Sequence, residues 1–355
     1  MPRVRIADRW VGDGEPIYFI ADIAANHDGV FDRAKKLICL AKEAGADAAK
    51  FQHFRAAKIV SKHGFDSLEG QVSHQATWKK SVYEVYQDAS IPWAWTEELK
   101  EYCDEVGIHY LSSPYDFEAV DMLYPFVPAF KVGSGDITWS EMLEKIASKG
   151  KPVILSTGAS DIGDVQRAVR IIRATCPNLI LLQCNTNYTG SRDNFKYVQL
   201  SVLKTYRAMY PDLILGLSDH TPGHAMVLGA VALGARVVEK HFTDDVTRDG
   251  PDHSFSMDPV TWKDMVDRTQ ELECALGDGD KTVQDNELET VVIQRRCLRA
   301  AKEIPPGTLI TRDMVDVLRP APHDAIFPQD LNLVLGRLAR ANLQQGEYFT
   351  WDRLE

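Results

Sequence analysis

The sequence predicts a (β/α)8 barrel followed by a small, turn-rich domain. Short apolar runs rich in β-branched residues alternate with amphipathic helical patterns along most of the chain, which is typical of parallel β/α units. We count eight such units, the number that closes a barrel. A chain of 355 residues is too long for one ordinary domain, but a barrel of about 250 residues and a small domain fit within it.

The predicted strands are short apolar runs, each followed by a helical pattern. They cover residues 18–23, 48–51, 109–112, 129–132, 152–156, 180–184, 214–218 and 237–240. The first helix is predicted from the segment FDRAKKLICLAKEAGA, whose apolar residues recur at helical spacing before Gly45. Similar patterns predict helices at residues 97–106, 141–148, 165–174, 225–233 and 258–276.

Two segments interrupt this alternation. Residues 55–95 separate the second strand from its helix, and a loop of that length in a compact domain usually forms a lid or a binding insertion. The polar stretch GDGDKTVQDNE predicts a linker at residues 277–294. We therefore expect a barrel domain over residues 1–276 and a second domain over residues 295–355, where strand-like runs such as EIPPGTLIT alternate with turns.

Composition excludes several classes of protein. Acidic residues outnumber basic ones by 51 to 40, so the net charge of -11 offers no general attraction to nucleic acid or anionic lipid. The six cysteines form no CxxC pair, which indicates reduced thiols rather than a disulfide scaffold. No apolar run approaches the roughly 18–20 residues of a membrane span. We therefore expect a cytoplasmic protein that binds neither nucleic acid nor membranes.

Polar side chains occupy the predicted carboxyl ends of the strands, where the active site of such a barrel forms. Two lysines and four serines share this rim: Lys50, Lys131, Ser113, Ser134, Ser156 and Ser218. Ammonium and hydroxyl groups donate to oxygen acceptors, so the rim suits a phosphate or a carboxylate. Each lysine taken alone is equally compatible with a solvated or ion-paired side chain.

His220 and His241 end consecutive predicted strands, so they should be neighbours on the rim. Two imidazoles this close can hold a divalent metal and leave positions for water and substrate oxygens. The alternative is a pair of unrelated histidines, one hydrogen-bonded within the fold and the other exposed. Asp219 and Glu239 precede the histidines, and either carboxylate could orient an imidazole.

Asp22 and Asp136 follow the first and fourth predicted strands, roughly across the barrel mouth from each other. Carboxylates in this position could transfer a proton or bind sugar hydroxyls. Helix capping and loop hydrogen bonds are the alternative role for both. His109 begins a strand, so we expect it at the opposite end of the barrel, in a structural role.

Taken together, the motifs resemble the sialic acid synthase family, and the resemblance covers nearly the whole chain. The segments that carry it are FIADIAANHDG, GADAAKFQHF, LSSPYD, AFKVGSGDI, KPVILSTGAS, LLQCNTNY, GLSDHT, VVEKHFT, RDGPDHSFSMDP, AAKEIPPGTLIT and LRP. The resemblance implies an enzyme that condenses phosphoenolpyruvate with an N-acylated amino sugar and water. Its products would be a nine-carbon 2-keto-3-deoxy sugar acid and phosphate.

The resemblance also implies roles for individual residues. His220 and His241 would hold Mn²⁺, or in its place Mg²⁺ or Co²⁺, and Asp22 or Asp136 would deprotonate the attacking water. Seven residues match positions that bind phosphoenolpyruvate in the family: Lys50, Gln52, Ser113, Lys131, Ser134, Ser156 and Ser218. Four match positions on the sugar side, with Thr186 standing where relatives often carry Asn: Asp136, Thr186, Tyr188 and Asp252.

The last segment, residues 295–355, resembles an antifreeze-like (SAF, β-clip) domain. In the family this domain reaches over the partner's barrel in a domain-swapped homodimer, which would place Arg319 against the N-acyl group of the sugar. The resemblance leaves the sugar open between N-acetylmannosamine and a 2,4-diacetamido-6-deoxyhexose.

Three other functions compete with the synthase. A Schiff-base aldolase could use Lys131 or Lys50 on the same barrel and would need no metal. A related synthase with a sugar phosphate as acceptor is disfavoured, because no second cluster of basic residues is evident in the sequence. A non-catalytic glycan-binding protein would leave the polar strand ends unexplained.

Overall fold

A computed structural model describes residues 2–68, 75 and 78–355 of the chain. The chain divides into two compact units, of which the first ends at Gly277 and the second begins at Asp278. The first unit contains a closed barrel of eight parallel strands, which confirms the predicted barrel. None of the helices in the described residues has both the length and the apolar character needed to cross a membrane.

The barrel strands follow one another in chain order, and the last strand pairs with the first. A hairpin that sequence analysis did not predict precedes them, formed by β1 (Arg3–Ile6) and β2 (Arg9–Gly12). The barrel strands are β3 (Tyr18–Asp22), β4 (Ala48–His53), β5 (His109–Pro114), β6 (Phe130–Val132), β7 (Val153–Ser156), β8 (Leu179–Cys184), β9 (Ile214–Asp219) and β10 (Ala235–His241). Each overlaps one of the eight predicted strands.

Helices follow the strands, as the alternating pattern predicts. In chain order they are α1 (Phe31–Glu43), α2 (Ala56–Ile59), α3 (Lys62–Asp66), α4 (Val82–Ala89), α5 (Thr96–Val106), α6 (Phe117–Leu123), α7 (Ser140–Ala147), α8 (Ile162–Arg173), α9 (Val202–Met209), α10 (Ala225–Ala232) and α11 (Pro259–Leu276). The buried face of α1 consists of Ala34, Leu37, Ile38 and Ala41, whose helical spacing predicted it.

The core has two layers, because alternate strand residues face the helices or the barrel interior. Phe19, Phe51 and Phe130 belong to the outer layer between strands and helices. In the inner layer, Val4, Ile6 and Val11 of the hairpin pack with residues near the starts of the strands, including Tyr18 and Leu111. The interior is therefore filled with apolar side chains near the strand starts, and polar side chains gather at the other end.

The insertion between β4 and α5 folds into three short helices, α2, α3 and α4, and a 3-10 turn, Trp93–Trp95. Helix α4 begins at a capping box, in which Ser81 Oγ accepts from the Glu84 amide and the Glu84 carboxylate accepts from the Ser81 amide. Residues 69–74, 76 and 77 of the predicted insertion lie outside the described residues.

The second unit is built on a two-stranded antiparallel sheet and short helical turns. Its elements are α12 (Leu288–Gln294), β11 (Cys297–Ala300), β12 (Val315–Leu318) and α13 (Leu331–Val334). A separate apolar core, which includes Leu298, Ile310 and Phe349, holds the unit together. Helix α12 lies within the segment predicted as a linker, and the predicted domain boundaries stay a prediction.

Candidate active site

Four charged side chains meet inside the barrel at the carboxyl ends of its strands. Lys50 Nζ lies 2.6 Å from Asp22 Oδ2 and 3.4 Å from Glu239 Oε2, and Lys131 Nζ lies 3.3 Å from Glu239 Oε1. All four side chains are 5% exposed or less. Two lysines and two carboxylates thus form one buried network, and buried charges of this kind persist only when they are paired.

Glu239 is the centre of this network, and sequence analysis did not propose it as a substrate-site residue. It accepts a hydrogen bond from Ser218 Oγ at 3.0 Å in addition to its two lysine partners. Burial alone would raise the pKa of the Glu239 carboxyl, but Lys131 and Lys50 outweigh it and hold that pKa at about 2. Glu239 is therefore ionised at neutral pH and fixes both ammonium groups at the strand ends.

Unused hydroxyl groups lie beside these lysines. The buried oxygens Ser113 Oγ and Ser156 Oγ have no hydrogen-bond partner in the part of the chain that the structure describes. Ser134 Oγ accepts from the Gly158 amide at 2.9 Å. Buried polar atoms are normally paired, so unpaired hydroxyls next to ammonium groups indicate an acceptor supplied from outside, such as a phosphate or a carboxylate.

The two predicted metal ligands are neighbours, with ring centroids of His220 and His241 5.4 Å apart. His220 Nδ1 lies 3.0 Å from the carbonyl oxygen of Asn185, which accepts its proton and fixes the ring. Burial lowers the pKa of His220, but a hydrogen bond with the Cys184 thiol, together with the Asn185 carbonyl oxygen, outweighs burial and raises that pKa. His241 Nε2 lies 3.5 Å from Asp22 Oδ2, and burial lowers the pKa of His241 well below its usual range. The two imidazoles are thus close enough to share one metal ion, which binds the neutral form of the ring.

The donor set fits a catalytic rather than a structural metal site. No group of three metal-binding side chains is found in residues 2–68, 75 and 78–355, so the protein offers two imidazoles and leaves the remaining positions open. Tyr188 and Phe255 pack edge-on against the rings, at 4.3 Å from His220 and 4.9 Å from His241 between centroids. This packing restricts the orientations that the imidazoles can adopt.

The prediction that Asp219 or Glu239 orients an imidazole is wrong. Glu239 pairs with the lysines, and Asp219 binds Lys240 on the other face of the barrel wall. A backbone oxygen, that of Asn185, orients His220 instead. Adjacent strand residues point to opposite faces, so Asp219 does not share the side of His220. Glu239 does share the interior face with His241, but its carboxylate is held by Lys131, Lys50 and Ser218.

The predicted sugar-side residues line a cavity of about 400 Å³ above the network. Asp136, Thr186, Tyr188 and Asp252 all lie on it, together with Gln52, which also donates to Asp22 Oδ2 at 3.1 Å. Asp252 is fixed by the Ala25 amide, which donates to its Oδ2 at 3.1 Å. Burial raises the pKa of Asp136 and that of Asp252 to about 6 each.

The insertion supplies the roof of this cavity. Sequence analysis did not predict which of its residues would do so. The roof is largely apolar and is formed by Phe54, Ile59, Trp78, Val85, Tyr86 and Ala89. Tyr115, which follows β5, adds a phenol whose pKa is raised well above its usual range by burial. Described residues of the insertion therefore line the same cavity as the strand-end residues, and its role as a lid or a binding insertion stays a prediction.

Arg319 is the one predicted site residue outside the barrel. It lies in the second unit, directly after β12, and is exposed. Its contact with the sugar of a partner subunit stays a prediction.

Sequence models of known families match both units. The NeuB family model matches residues 37–281, and the SAF domain model matches residues 295–355. The chain belongs to the NeuB family. The antifreeze-like domain predicted at the C-terminus is confirmed by the second match.

Individual relatives in the NeuB family align over almost the full chain. The human N-acetylneuraminate-9-phosphate synthase is 34% identical over 96% of this chain and 93% of its own. The N,N'-diacetyllegionaminic acid synthase of Legionella pneumophila is 33% identical over 97% of this chain and 96% of its own. The solved N-acetylneuraminic acid synthetase of Leptospira borgpetersenii superposes with a TM-score of 0.71 at 28% identity, over 81% of this chain and 95% of that one.

Asp136 gives this NeuB-family barrel a pH-dependent stability. Its folded pKa of about 6 lies above its ordinary value of 3.8, so the stability it allows is complete below about pH 4 and is lost as the pH rises through 6. We expect Asp136→Asn to remove that loss, so that the melting temperature of the variant exceeds that of the wild type by more at pH 8 than at pH 5.

Differential scanning fluorimetry at the two pH values measures this difference. Asp121→Asn is the control, because Lys145 and Lys149 lower the pKa of the exposed Asp121 and its charge cannot oppose folding. If Asp136→Asn raised the melting temperature above that of the wild type by the same amount at both pH values, a raised pKa of Asp136 would be contradicted.

Proposed function

We propose that the protein condenses phosphoenolpyruvate with an uncharged N-acylated amino sugar and water, giving a nine-carbon 2-keto-3-deoxy sugar acid and phosphate. One observation carries the proposal: two lysines and unpaired hydroxyls lie at the strand ends, directly below two neighbouring imidazoles and a roofed cavity. The human and Legionella relatives are named as an N-acetylneuraminate-9-phosphate synthase and an N,N'-diacetyllegionaminic acid synthase, and these names support a sugar-acid synthase.

Phosphoenolpyruvate would occupy the anion site beside the network. Lys50 and Lys131 would attract its phosphate and carboxylate, and Ser113, Ser134 and Ser156 would donate hydrogen bonds to their oxygens. Because Glu239 keeps both lysines in place, the ammonium groups need little reorganisation when the substrate binds. Gln52 and Ser218 complete the residues proposed for this half of the site.

The acceptor would bind as its open-chain aldehyde in the 400 Å³ cavity. C3 of phosphoenolpyruvate then forms a bond to the aldehyde carbon, water adds to C2, and cleavage of the C2–O bond releases phosphate. A divalent cation on His220 and His241, Mn²⁺ or in its place Mg²⁺ or Co²⁺, would act as a Lewis acid on the aldehyde oxygen. Tyr188, Thr186 and Asp252 would position the sugar chain.

Asp22 is the better placed base for the attacking water. Its Oδ2 is occupied by Lys50 and Gln52, whereas its buried Oδ1 has no partner among the described residues and can accept a proton. Burial raises the pKa of Asp22 against the opposing effect of Lys50, so the carboxylate is a stronger base than an exposed aspartate. Asp136 is the second candidate for this role.

The charges around the cavity favour an acceptor without a phosphate. Among the described residues, no lysine or arginine lines the inner cavity, where Asp136 and Asp252 are the acidic residues. An outer cavity of about 650 Å³ shares part of its wall and is lined by Lys79, Lys80 and Arg248. Two of these cations are paired, Lys80 with Asp88 at 2.6 Å and Arg248 with Asp28 at 2.7 Å. An N-acyl or deoxy substituent suits the apolar roof better than a phosphate does.

The test is phosphate release from phosphoenolpyruvate with a panel of acceptors, each with Mn²⁺ and with a chelator. The panel holds N-acetylmannosamine, its 6-phosphate and a 2,4-diacetamido-6-deoxyhexose. Release that needs both Mn²⁺ and an uncharged sugar supports the proposal. Release with the 6-phosphate alone contradicts the uncharged acceptor but is consistent with a synthase. If none of the sugars in the panel supports phosphate release, the synthase itself is contradicted.

A Schiff-base aldolase remains the second candidate, because burial lowers the pKa of Lys131 as that chemistry requires.

The proposed synthase is also a cytoplasmic, domain-swapped homodimer in which Arg319 of one subunit contacts the sugar in the other.

A further inference from the structure

A buried ion pair lies in the barrel wall beside the two histidines. Lys240 donates to the Asp219 carboxylate and, at 2.6 Å from Nζ, to the backbone oxygen of Thr221. The side chains of Lys240 and Asp219 are 1% and 2% exposed. They stand opposite each other in the pairing of β9 with β10, so the pair links the ends of the two strands that carry the histidines.

This pair faces away from the substrate site. On β10, Glu239 and His241 contact the interior network, and the residue between them must point to the other face. On β9, Ser218 contacts Glu239 inside the barrel, and Asp219 points outward for the same reason. Neither Lys240 nor Asp219 can therefore touch a substrate in the barrel interior.

Asp219 also fixes the backbone that follows His220. Its Oδ1 accepts hydrogen bonds from the Thr221 amide at 3.1 Å and from Thr221 Oγ1 at 2.9 Å. The residues on both sides of His220 are thus bound to Lys240, which directly precedes His241. The Lys240 ammonium group therefore adds a side-chain link between the two strand ends to the backbone pairing of β9 with β10.

We propose that Lys240 and Asp219 are positioning residues that set the separation of His220 and His241 for a divalent metal. The inference rests on the metal site of the proposed function and deepens it. This role also explains why each histidine directly follows a charged residue whose side chain points away from the site. The outward side chains hold the strand ends in register, and the inward imidazoles would bind the metal.

The sign of the effect separates positioning from simple electrostatics. Replacing Lys240 with methionine removes a positive charge near the metal position, and by Coulomb's law alone this change would strengthen cation binding. If the ammonium group instead holds the two strand ends together, its loss weakens binding. Partners outside the ligand shell typically change metal affinity by about 10- to 100-fold, so we expect a loss of that size.

The experiment measures Mn²⁺ affinity by isothermal titration calorimetry on the full-length protein without substrates. The variants are K240M, D219N and the double variant K240M/D219N, each with its melting temperature. Each single variant leaves one buried charge unpaired and can fail to fold. The double variant removes both charges, so it leaves no unpaired charge and can be tested even if the single variants do not fold. We expect K240M and K240M/D219N to bind Mn²⁺ about 10- to 100-fold more weakly than the wild type.

R9M is the matched control. Arg9 pairs with Asp47, whose carboxylate also accepts from the Phe19 amide, so this ion pair lies near the strand starts at the opposite end of the barrel. We expect R9M to lower the melting temperature and to leave Mn²⁺ affinity unchanged. Weaker Mn²⁺ binding in R9M as well would assign the effect to general destabilisation and overturn the inference.

Unchanged or tighter Mn²⁺ binding by a folded K240M/D219N variant would also overturn it. In that case, loss of binding in His220→Ala would still support the metal site, so the proposed function would stand. A wild-type protein that binds no Mn²⁺ would overturn both.

Discussion

Replacing His241 with alanine should abolish Mn²⁺-dependent phosphate release while leaving the barrel folded. In the proposed site the imidazole would be one of two protein ligands, so its loss would remove the cation that would polarise the acceptor aldehyde. A Lewis acid contributes several kcal/mol to such a step, and each 1.36 kcal/mol is a factor of ten, so kcat should fall by about 10³-fold or more. Initial rates of phosphate release with saturating substrates measure this fall.

The fold of this variant should survive, because no other side chain depends on His241 for charge compensation. Its Nδ1 has no hydrogen-bond partner in the described part of the chain, and Asp22 keeps Lys50 and Gln52. Circular dichroism and the melting temperature provide the check. His109→Ala is the matched control, because that histidine binds Tyr18 and Asp8 at the far end of the barrel. Full turnover in His241→Ala would rule out the metal role.

The barrel could be predicted from the sequence because its signal is local. Eight apolar runs, each with an amphipathic pattern behind it, need only strand and helix periodicity to be recognised, and parallel strands place all their carboxyl ends at one rim. The N-terminal hairpin escaped prediction because β1 and β2 are only four residues each, and each has just two buried residues. Its role depends on filling the barrel interior, which no local pattern reveals.

The sequence predicted which residues of the candidate site lie together, but not the hydrogen bonds and ion pairs between them. The spacing of Lys50, Lys131 and the two histidines along the strands was enough to group them. The orientation of His220 was not predictable, because a backbone oxygen of Asn185 provides it and every residue has one. Glu239 could have been found, since it shares strand parity with His241 and must point at the same interior.

The residues of the cavity roof could not be predicted from local sequence patterns, for a different reason. Trp78 and Tyr86 belong to the insertion, for which sequence analysis named no site residue, and only the fold of the insertion brings them to the cavity. The contacts are long-range in sequence, between the insertion and Tyr115, Tyr188 and Asp252. Sequence spacing therefore predicts which residues the strands present and leaves open which residues cover them.

Replacing Lys131 with methionine should raise the KM for phosphoenolpyruvate by at least about 30-fold, since truncating one partner of a buried charged contact costs about 2–5 kcal/mol. The KM for the sugar should change little, because Lys131 does not line the acceptor cavity. The fold should persist, because Glu239 keeps Lys50 at 3.4 Å and Ser218 at 3.0 Å. Lys145→Met, at an exposed ion pair with Asp121, is the control.

The same residue decides between the two candidate chemistries. In the synthase, Lys131 acts through its charge, so Lys131→Arg should recover part of the affinity that Lys131→Met loses. In a Schiff-base aldolase, Lys131 acts as an amine nucleophile, so arginine would be as inactive as methionine and borohydride would trap a covalent adduct on the wild type. We expect mass spectrometry to find no adduct after incubation with pyruvate or phosphoenolpyruvate and borohydride. An adduct at Lys131, together with turnover in the presence of chelator, would replace the synthase by the aldolase.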